Sequence, residues 1–292
     1  MRRFSLLLGL LAWALCCALA PVAEAAQEPL LTLLYTANSE GNYRPCAVCG
    51  AQAQGGLARR STVFDQARSQ AGGRTLAIAG GYEFVPFRQP PAAKDVASGL
   101  VKAYSSLHYD LGLLTQKEGD WLRDGVGGLG AAWVQAGEEP QQRVLTVGGL
   151  KVGVVVFPAS PTPYEVPSDA LIEAVVASSA LMRAQCDLVV GLGAWGRKGE
   201  EKLLSVQELD MDVLLGSGPG IGAGARMVRE GRSLLLRSEF QGRSVLRLDI
   251  FELPIGNTEQ RWSKGVNYLE EIIVLDPNVS SDPRITDILA WI

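Results

Sequence analysis

Apolar runs of strand length alternate with helix-like segments through most of this 292-residue chain. The apolar run 30–36 is followed by the amphipathic segment 56–69, and a second apolar run follows at 75–80. Continuous apolar strands separated by helices are typical of sheets whose outer faces are covered. This alternation limits the chain to an α/β architecture. With 47% hydrophobic residues, the chain can bury one large core.

The same alternation extends to residue 217 and then stops. It predicts helices at 96–107, 168–185 and 198–209, and strands at 109–115, 187–193 and 212–217. The paired glycines inside 143–159 predict a hairpin, because Gly-Gly favours a two-residue turn. Beyond residue 217, strand-like runs follow one another without helices, which predicts antiparallel strands in a second sheet packed on the first. A helical segment, 282–292, closes the chain.

The N-terminus has the composition of a secretory signal. Arg2 and Arg3 precede the apolar run 6–19, and Ala23 and Ala25 have the spacing of a small-residue cleavage site. The apolar run is shorter than the roughly 20 residues that a membrane-spanning helix needs. We therefore expect a signal peptide at 1–25, one domain at 26–292, no transmembrane segment after cleavage, and a periplasmic or extracellular protein.

The charge balance and the histidine content exclude two further classes of function. The chain has 27 Lys and Arg residues against 31 Asp and Glu residues, for a net charge of −4. A chain with more acidic than basic residues does not show the excess of Lys and Arg that is typical of nucleic-acid-binding proteins, so we expect no nucleic-acid partner. The single histidine of the chain, His108, is too few for a histidine-rich metal site.

Several motifs together resemble one known family, the calcineurin-like metallophosphoesterase domain of secreted 5′-nucleotidases. The resemblance covers about residues 30–290. It is carried by GGLARRSTVF (55–64), YDLGLLTQKEGDWL (109–122), LKVGVVVF (150–157), CDLVVGLGAWG (186–196) and MDVLLGSGPG (211–220). It implies a four-layer αββα sandwich, in which loops at the strand ends would hold two metal ions.

The residues that hold the metals in that family are replaced in this chain. The matching positions are Asn38, Glu40, Gly81, Gln116, Lys117, Ala194, Gly218 and Gly220. A two-metal hydrolytic site needs several neutral imidazoles together with carboxylates. His108 is the one imidazole, and it precedes a predicted strand instead of following one. The resemblance therefore implies a degenerate member without the two-metal centre, and we expect no cofactor.

An oxygen-ligand site is an alternative. Asn38, Glu40, Glu83 and Glu118 lie on neighbouring predicted strand-end loops, and Mg²⁺ and Ca²⁺ prefer such carboxylate and amide oxygens. If these residues were metal ligands, the protein would be a working phosphoester hydrolase with a rebuilt site. The other interpretation, which we favour, is that they are solvated loop residues.

Cys46 and Cys49 form a CxxC pair just before the glycine pair of the first helix. In an exported protein a close pair favours a disulfide that staples the loop. Reversible thiol–disulfide chemistry is the alternative, because such a ring is easily reduced. A zinc site would need two more ligands from Cys186 and His108, which is unfavourable.

Three functions remain open on the sequence alone. The first is binding of an unidentified ligand or protein partner by a catalytically degenerate phosphoesterase fold. The second is thiol–disulfide chemistry at Cys46 and Cys49, and the third is phosphoester hydrolysis at a rebuilt metal site. Arg59 and Arg60, at the start of the first helix, are expected to be structural more than anion-binding.

Overall fold

The computed structural model describes most of the chain that follows the predicted signal peptide. The described residues are 27–46, 52–87, 94–126, 128–160, 162, 164–220, 222, 224–254 and 261–292. The predicted signal peptide, 1–25, and Cys49 lie outside them. Within these ranges no helix combines the length and the apolar character that crossing a membrane requires.

The described residues form strands and helices close to the predicted ones. The strands are β1 (Leu31–Thr36), β2 (Thr75–Ala79), β3 (Leu111–Leu114), β4 (Trp133–Gln135), β5 (Gln141–Val147), β6 (Leu150–Val156), β7 (Leu188–Gly193), β8 (Val213–Gly216), β9 (Gly224–Val228), β10 (Ser233–Arg237), β11 (Ser244–Ile250) and β12 (Tyr268–Val274). The helices are α1 (Leu57–Ala71), α2 (Lys94–Ser106), α3 (Gln116–Val126), α4 (Asp169–Arg183), α5 (Gly196–Leu204) and α6 (Pro283–Leu289).

Two six-stranded sheets form the centre of the molecule. The first sheet has the order β12-β11-β1-β2-β3-β4, and the second has the order β5-β6-β7-β8-β10-β9. Strands β1 to β4 run parallel to one another, as do β6, β7, β8 and β10. Parallel strands place their carboxyl ends at one edge of each sheet, so the loops that follow them gather there.

Burial on both faces of the strands produces four layers. Leu33 on β1 packs between the two sheets, whereas its neighbour Leu34 packs against the helices that cover the first sheet. That outer layer is formed by α1, α2, α3 and α6, and its core includes Phe64, Leu100, Leu122 and Ile285. Helices α4 and α5 cover the second sheet through residues such as Ile172 and Leu203. The predicted αββα sandwich is confirmed.

The expectation for the C-terminal strands was wrong in one respect. They do not form a second sheet of their own, because each joins a sheet that earlier strands have begun. Strand β10 pairs with β8 in the second sheet, and β11 pairs with β1 in the first, with Leu33 opposite Leu248. Leu234, Leu235 and Leu236 are all buried, so both faces of β10 must be covered.

Local chemistry explains where several elements turn or begin. Gly148 and Gly149 connect β5 to β6 with φ values of 59° and 88°, which confirms the predicted hairpin turn. Helix α1 ends at Gly72, whose φ of 56° is a left-handed conformation that glycine adopts without strain. Ser168 begins α4, since its hydroxyl accepts a hydrogen bond from the N–H of Leu171.

Candidate functional site

Loops from both sheets meet at the carboxyl ends of the parallel strands. Asn38 lies two residues after β1, and its main-chain N–H donates to the carbonyl of Gly81, which lies two residues after β2 (3.1 Å). The Oδ1 atom of Asn38 accepts a hydrogen bond from the N–H of Gly218, two residues after β8 (2.8 Å). The bond between Asn38 and Gly218 joins the first sheet to the second.

Ser217 adds a second link between the same loops. Its hydroxyl donates to the carbonyl of Gly193 at the end of β7 (2.8 Å) and accepts from the N–H of Gly81 (3.0 Å). Ser217 and Asn38 are both fully buried. We call the group Asn38, Gly81, Ala194, Ser217 and Gly218 the strand-end clasp, because neutral hydrogen bonds and close packing hold it together.

The clasp leaves no room for larger side chains at its glycines. A Cβ atom on Gly81 would lie 3.0 Å from the Cβ of Ala194 and 3.1 Å from the Cγ2 of Thr115. A Cβ atom on Gly218 would lie 3.1 Å from the ring of Tyr82, and Gly218 also has a φ of 87°. A carboxylate or imidazole at either position would therefore require its neighbours to move.

Four of the residues singled out from the sequence lie outside the clasp. Gln116 and Lys117 are exposed in the first turn of α3, and the Lys117 amine donates to the carbonyl of Pro86 (3.3 Å). Gly220 packs against Arg197, and Glu40 is half-buried with a φ of 54°. At the third strand end it is Thr115, which sequence reasoning missed, that contacts Gly81.

The favoured expectation that Asn38, Glu83 and Glu118 are solvated loop residues was wrong, because all three are fully buried. Glu118, a candidate metal ligand on the sequence, holds main-chain groups inside the fold. Its carboxylate accepts the main-chain N–H groups of Tyr82 (3.0 Å), Phe84 (2.8 Å) and Thr115 (2.9 Å), together with the Thr115 hydroxyl (2.8 Å). Burial is the main influence on this group and raises the pKa of Glu118. The carboxylate fixes the loop after β2, so its oxygens are already occupied.

Glu83, another candidate ligand, is paired with Arg60 inside the first outer layer. The Arg60 Nη1 lies 3.1 Å from the Glu83 Oε2, and both side chains are almost fully buried. The hydroxyls of Thr36 (2.5 Å) and Tyr104 (2.8 Å) also donate to Glu83. Burial has the largest effect on the pKa of the neighbouring Tyr109 and raises it to about 12. Arg60 is therefore structural in this fold.

A second buried ion pair supports the clasp from the other sheet. Arg237, at the end of β10, pairs with Glu200 of α5. The Nη2 of Arg237 also donates to the carbonyl of Gly218 (2.6 Å). Gly218 is thus held through its N–H by Asn38 and through its carbonyl by Arg237. Burial has the largest effect on the pKa of Glu200 and raises it. No local pattern in the sequence indicates this pair, because its two members lie on different elements.

The strand-end clasp contains no His, Cys, Asp or Glu side chain. In the part of the chain that the structure describes, no group of three or more His, Cys, Asp or Glu side chains is placed to hold a metal ion. The unpartnered polar atom in the clasp is the buried Nδ2 of Asn38, a hydrogen-bond donor that no cation can use as a ligand. His108 is exposed at the opposite end of β3, where its carbonyl accepts from Arg68 (2.6 Å).

The two cysteines in the described ranges, Cys46 and Cys186, have different surroundings. Cys46 precedes the residues 47–51 that are outside the described ranges, and its N–H donates to the carbonyl of Gln54 (3.0 Å). Cys186 is a buried free thiol in the core between the second sheet and α4, where burial raises its pKa. Pairing of Cys46 with Cys49 stays a prediction.

Solved structures with the same fold include nucleotidases and phosphoesterases. A 5′-nucleotidase precursor from Thermus thermophilus superposes with a TM-score of 0.66 at 20% identity, over 89% of this chain and 58% of that chain. The sulfate thiohydrolase SoxB of Thermus thermophilus, solved with glycerol, gives 0.64 at 13% identity, over 90% and 60% of the two chains. The calcineurin-like phosphoesterase YfkN of Bacillus subtilis gives 0.60 at 17% identity, over 89% and 95%.

These similarities establish the fold of this chain. It has the architecture of calcineurin-like phosphoesterases and of the corresponding part of 5′-nucleotidases. It spans about 60% of the length of the first two structures. No protein-family profile and no curated protein matches the sequence.

Proposed function

We propose that this protein is a catalytically degenerate phosphoesterase-fold protein that acts by binding a ligand or a partner. The observation that carries the proposal is the strand-end clasp. At or beside the positions where the resemblance implies metal ligands, Asn38 and Ser217 make neutral hydrogen bonds between the sheets, and Gly81 packs against Ala194.

Hydrolysis of a phosphoester in this fold family depends on metal ions that activate water and neutralise developing charge. The clasp supplies a carboxamide, a hydroxyl and main-chain amides, which do neither. The buried carboxylates of Glu83, Glu118 and Glu200 are already bonded to Arg60, to main-chain N–H groups and to Arg237, respectively. This chemistry supports a binding role for the fold.

Activity and metal content test the proposal together. The purified protein would be incubated with Mn²⁺, Zn²⁺, Mg²⁺ or Ca²⁺ and assayed on AMP, p-nitrophenyl phosphate and bis-p-nitrophenyl phosphate, with an active 5′-nucleotidase as the positive control. We expect no turnover above buffer and less than stoichiometric metal by elemental analysis. Stoichiometric metal with turnover that disappears in Asn38→Gly or Glu40→Gln would overturn the proposal.

We also propose that the protein is exported, on the basis of the basic, apolar and small-residue segments within 1–25. Expression of the full chain followed by fractionation and N-terminal sequencing tests this directly. The expected mature protein begins at Ala26 and lies in the periplasm or the medium. An intact N-terminus in the cytosolic fraction would contradict export.

A further inference from the structure

A cavity of about 260 Å³ opens beside the cysteine loop, away from the strand-end clasp. It lies between the loop 43–45, the start of α1 and the end of α6. Its walls are mainly apolar, with Pro45, Leu289 and Ala290 among the lining residues. Gly56 shapes the floor, because a Cβ atom there would lie 3.0 Å from the Pro45 ring and its φ of 101° excludes most other residues.

Two guanidinium groups line this apolar cavity. Arg44 and Arg59 are both lining residues, and no Asp or Glu is among them. Across the described ranges, neither arginine forms an ion pair with an Asp or Glu side chain. Arg59 donates to main-chain carbonyls, and Arg44 donates to the main-chain oxygens of Leu289 and Ile292. The nearby carboxylate of Asp282 is neutralised by Arg284 and bonded to Ser61. The lining therefore carries two cationic side chains and no side-chain carboxylate, although the whole chain has a net charge of −4.

Both guanidinium groups retain donors for a ligand. The hydrogen bonds of Arg59 run from Nη1 to the carbonyls of Ala53, Gly55 and Leu275, and its Nη2 makes none within the described residues. Those of Arg44 use Nη2, and its guanidinium lies 5.2 Å from the centre of the Tyr43 ring. A planar fork with unused N–H groups suits the two oxygens of a carboxylate or the oxygens of a phosphate.

We propose that this cavity binds a small organic anion, with a carboxylate or phosphate group held by Arg44 and Arg59 and an apolar body against Pro45, Leu289 and Ala290. Its volume is below the roughly 300–1,000 Å³ of drug-sized sites, so the body is about one aromatic ring or a short aliphatic chain. The inference deepens the proposed binding role and rests on it for its biological meaning.

Direct titration of the purified protein tests the site. The probes are 3-phenylpropionate, phenyl phosphate and the neutral 3-phenylpropionamide, followed by calorimetry and ligand-observed NMR. We expect at least one of the two anions to bind about ten-fold more tightly than the amide, since the charge-assisted bonds would be missing from the amide. The tighter anion identifies the preferred head group. Because 3-phenylpropionate cannot be hydrolysed by a phosphoesterase, its binding is measured independently of the activity assays.

Variants locate the binding. Arg44→Gln and Arg59→Gln should each weaken the anion about ten-fold, and Ala290→Phe should abolish binding by filling the cavity. Arg143→Gln removes the same charge from the exposed surface of β5 and should leave binding unchanged. If Arg59→Gln fails to fold, Arg44→Gln and Ala290→Phe still decide the question. Any one of three results would overturn the assignment. These are equal affinity for the acid and the amide, a loss of affinity in Arg143→Gln equal to that in Arg44→Gln, and the absence of saturable binding.

Discussion

The Oδ1 of Asn38 accepts a hydrogen bond from the main-chain N–H of Gly218 across 2.8 Å, although 180 residues separate them in the sequence. Asn38 follows β1 in the first sheet and Gly218 follows β8 in the second, so this neutral contact bridges the two sheets, as does the bond from Gly81 to Ser217. The bridge lies where the resemblance places metal ligands. Its contribution to stability can be measured separately from any ligand.

Replacing Asn38 with glycine should destabilise the protein. Asn38 has a φ of 57°, which glycine also adopts, so the change removes the side chain without adding backbone strain. Loss of the buried bond to Gly218 should lower the free energy of unfolding by about 1–3 kcal/mol in urea denaturation. Gln241→Gly is the matched control, because Gln241 is exposed with a φ of 62°. Equal effects of the two substitutions would contradict a stabilising bridge.

Close packing at Gly81 predicts a compensating pair of substitutions. Gly81→Ala should destabilise by about 1–3 kcal/mol, because the new methyl group meets the Cβ of Ala194 at 3.0 Å. Ala194→Gly in the same protein should recover part of this loss, with a coupling of at least about 0.5 kcal/mol in a double-mutant cycle. Gly130→Ala is the control, since a Cβ there meets nothing within 4 Å. If the effects of the two substitutions on the free energy of unfolding were strictly additive, Gly81 and Ala194 would not be in close contact.

Replacing either Arg60 or Glu83, which form a buried ion pair, should lower the free energy of unfolding substantially. Arg60→Met or Glu83→Gln alone leaves an uncompensated group in the outer core, and each should cost about 3–5 kcal/mol. The double variant should cost less than the sum of the two, as measured by urea denaturation. Changing the exposed pair of Asp120 and Arg123 should cost no more than about 1 kcal/mol. Comparable losses of unfolding free energy at the two pairs would contradict the expectation that the buried pair contributes more.

The sequence predicted those elements that have a local signal. Strand β1 is a continuous apolar run, and the turn at Gly148 and Gly149 follows from the conformational freedom of glycine. The pairing of β11 with β1 has no such signal, because it joins Leu33 to Leu248 and depends on which strand edge is free when the chain returns. Strand β4, Trp133–Gln135, is too short for a periodic pattern to be recognised.

Only part of the strand-end clasp could be predicted from the sequence. Convergence of the parallel strand ends brings Asn38, Gly81, Ala194 and Gly218 together, as the resemblance implies. At β3 the prediction falls on exposed Gln116, whereas Thr115 makes the contact. The roles of Glu83 and Glu118 could not be predicted, because their partners are an arginine of α1 and main-chain N–H groups of other loops.

The cysteine loop gives a prediction that chemistry alone can check. If Cys46 and Cys49 form a structural disulfide, thiol labelling and mass spectrometry of the unreduced protein should detect Cys186 as the labelled cysteine after unfolding. Mild reductant should leave the pair oxidised, and Cys46→Ser with Cys49→Ser should lower the melting temperature. A pair that opens in mild reductant and closes again with an oxidised dithiol would favour thiol–disulfide chemistry instead.

The acid stability of the protein should depend on Asp282, which begins α6. Its carboxylate accepts from the N–H of Arg284 (2.8 Å) and the hydroxyl of Ser61 (2.6 Å). Hydrogen bonds from the Arg284 side chain are the largest cause that lowers the pKa of Asp282, to about 2. In the unfolded chain an aspartate has a pKa of about 3.9, so protonation favours unfolding.

The stabilisation by Asp282 is therefore complete above about pH 5 and is lost as the pH falls through about 4 towards about 2. Urea denaturation of the wild type and Asp282→Asn between about pH 7 and about pH 3 should show a difference that is largest at neutral pH and shrinks on acidification. Asp120→Asn, at an exposed site, should change stability little at any of these pH values. A difference for Asp282→Asn that is constant with pH would mean that the carboxylate contributes through its shape and not through its charge.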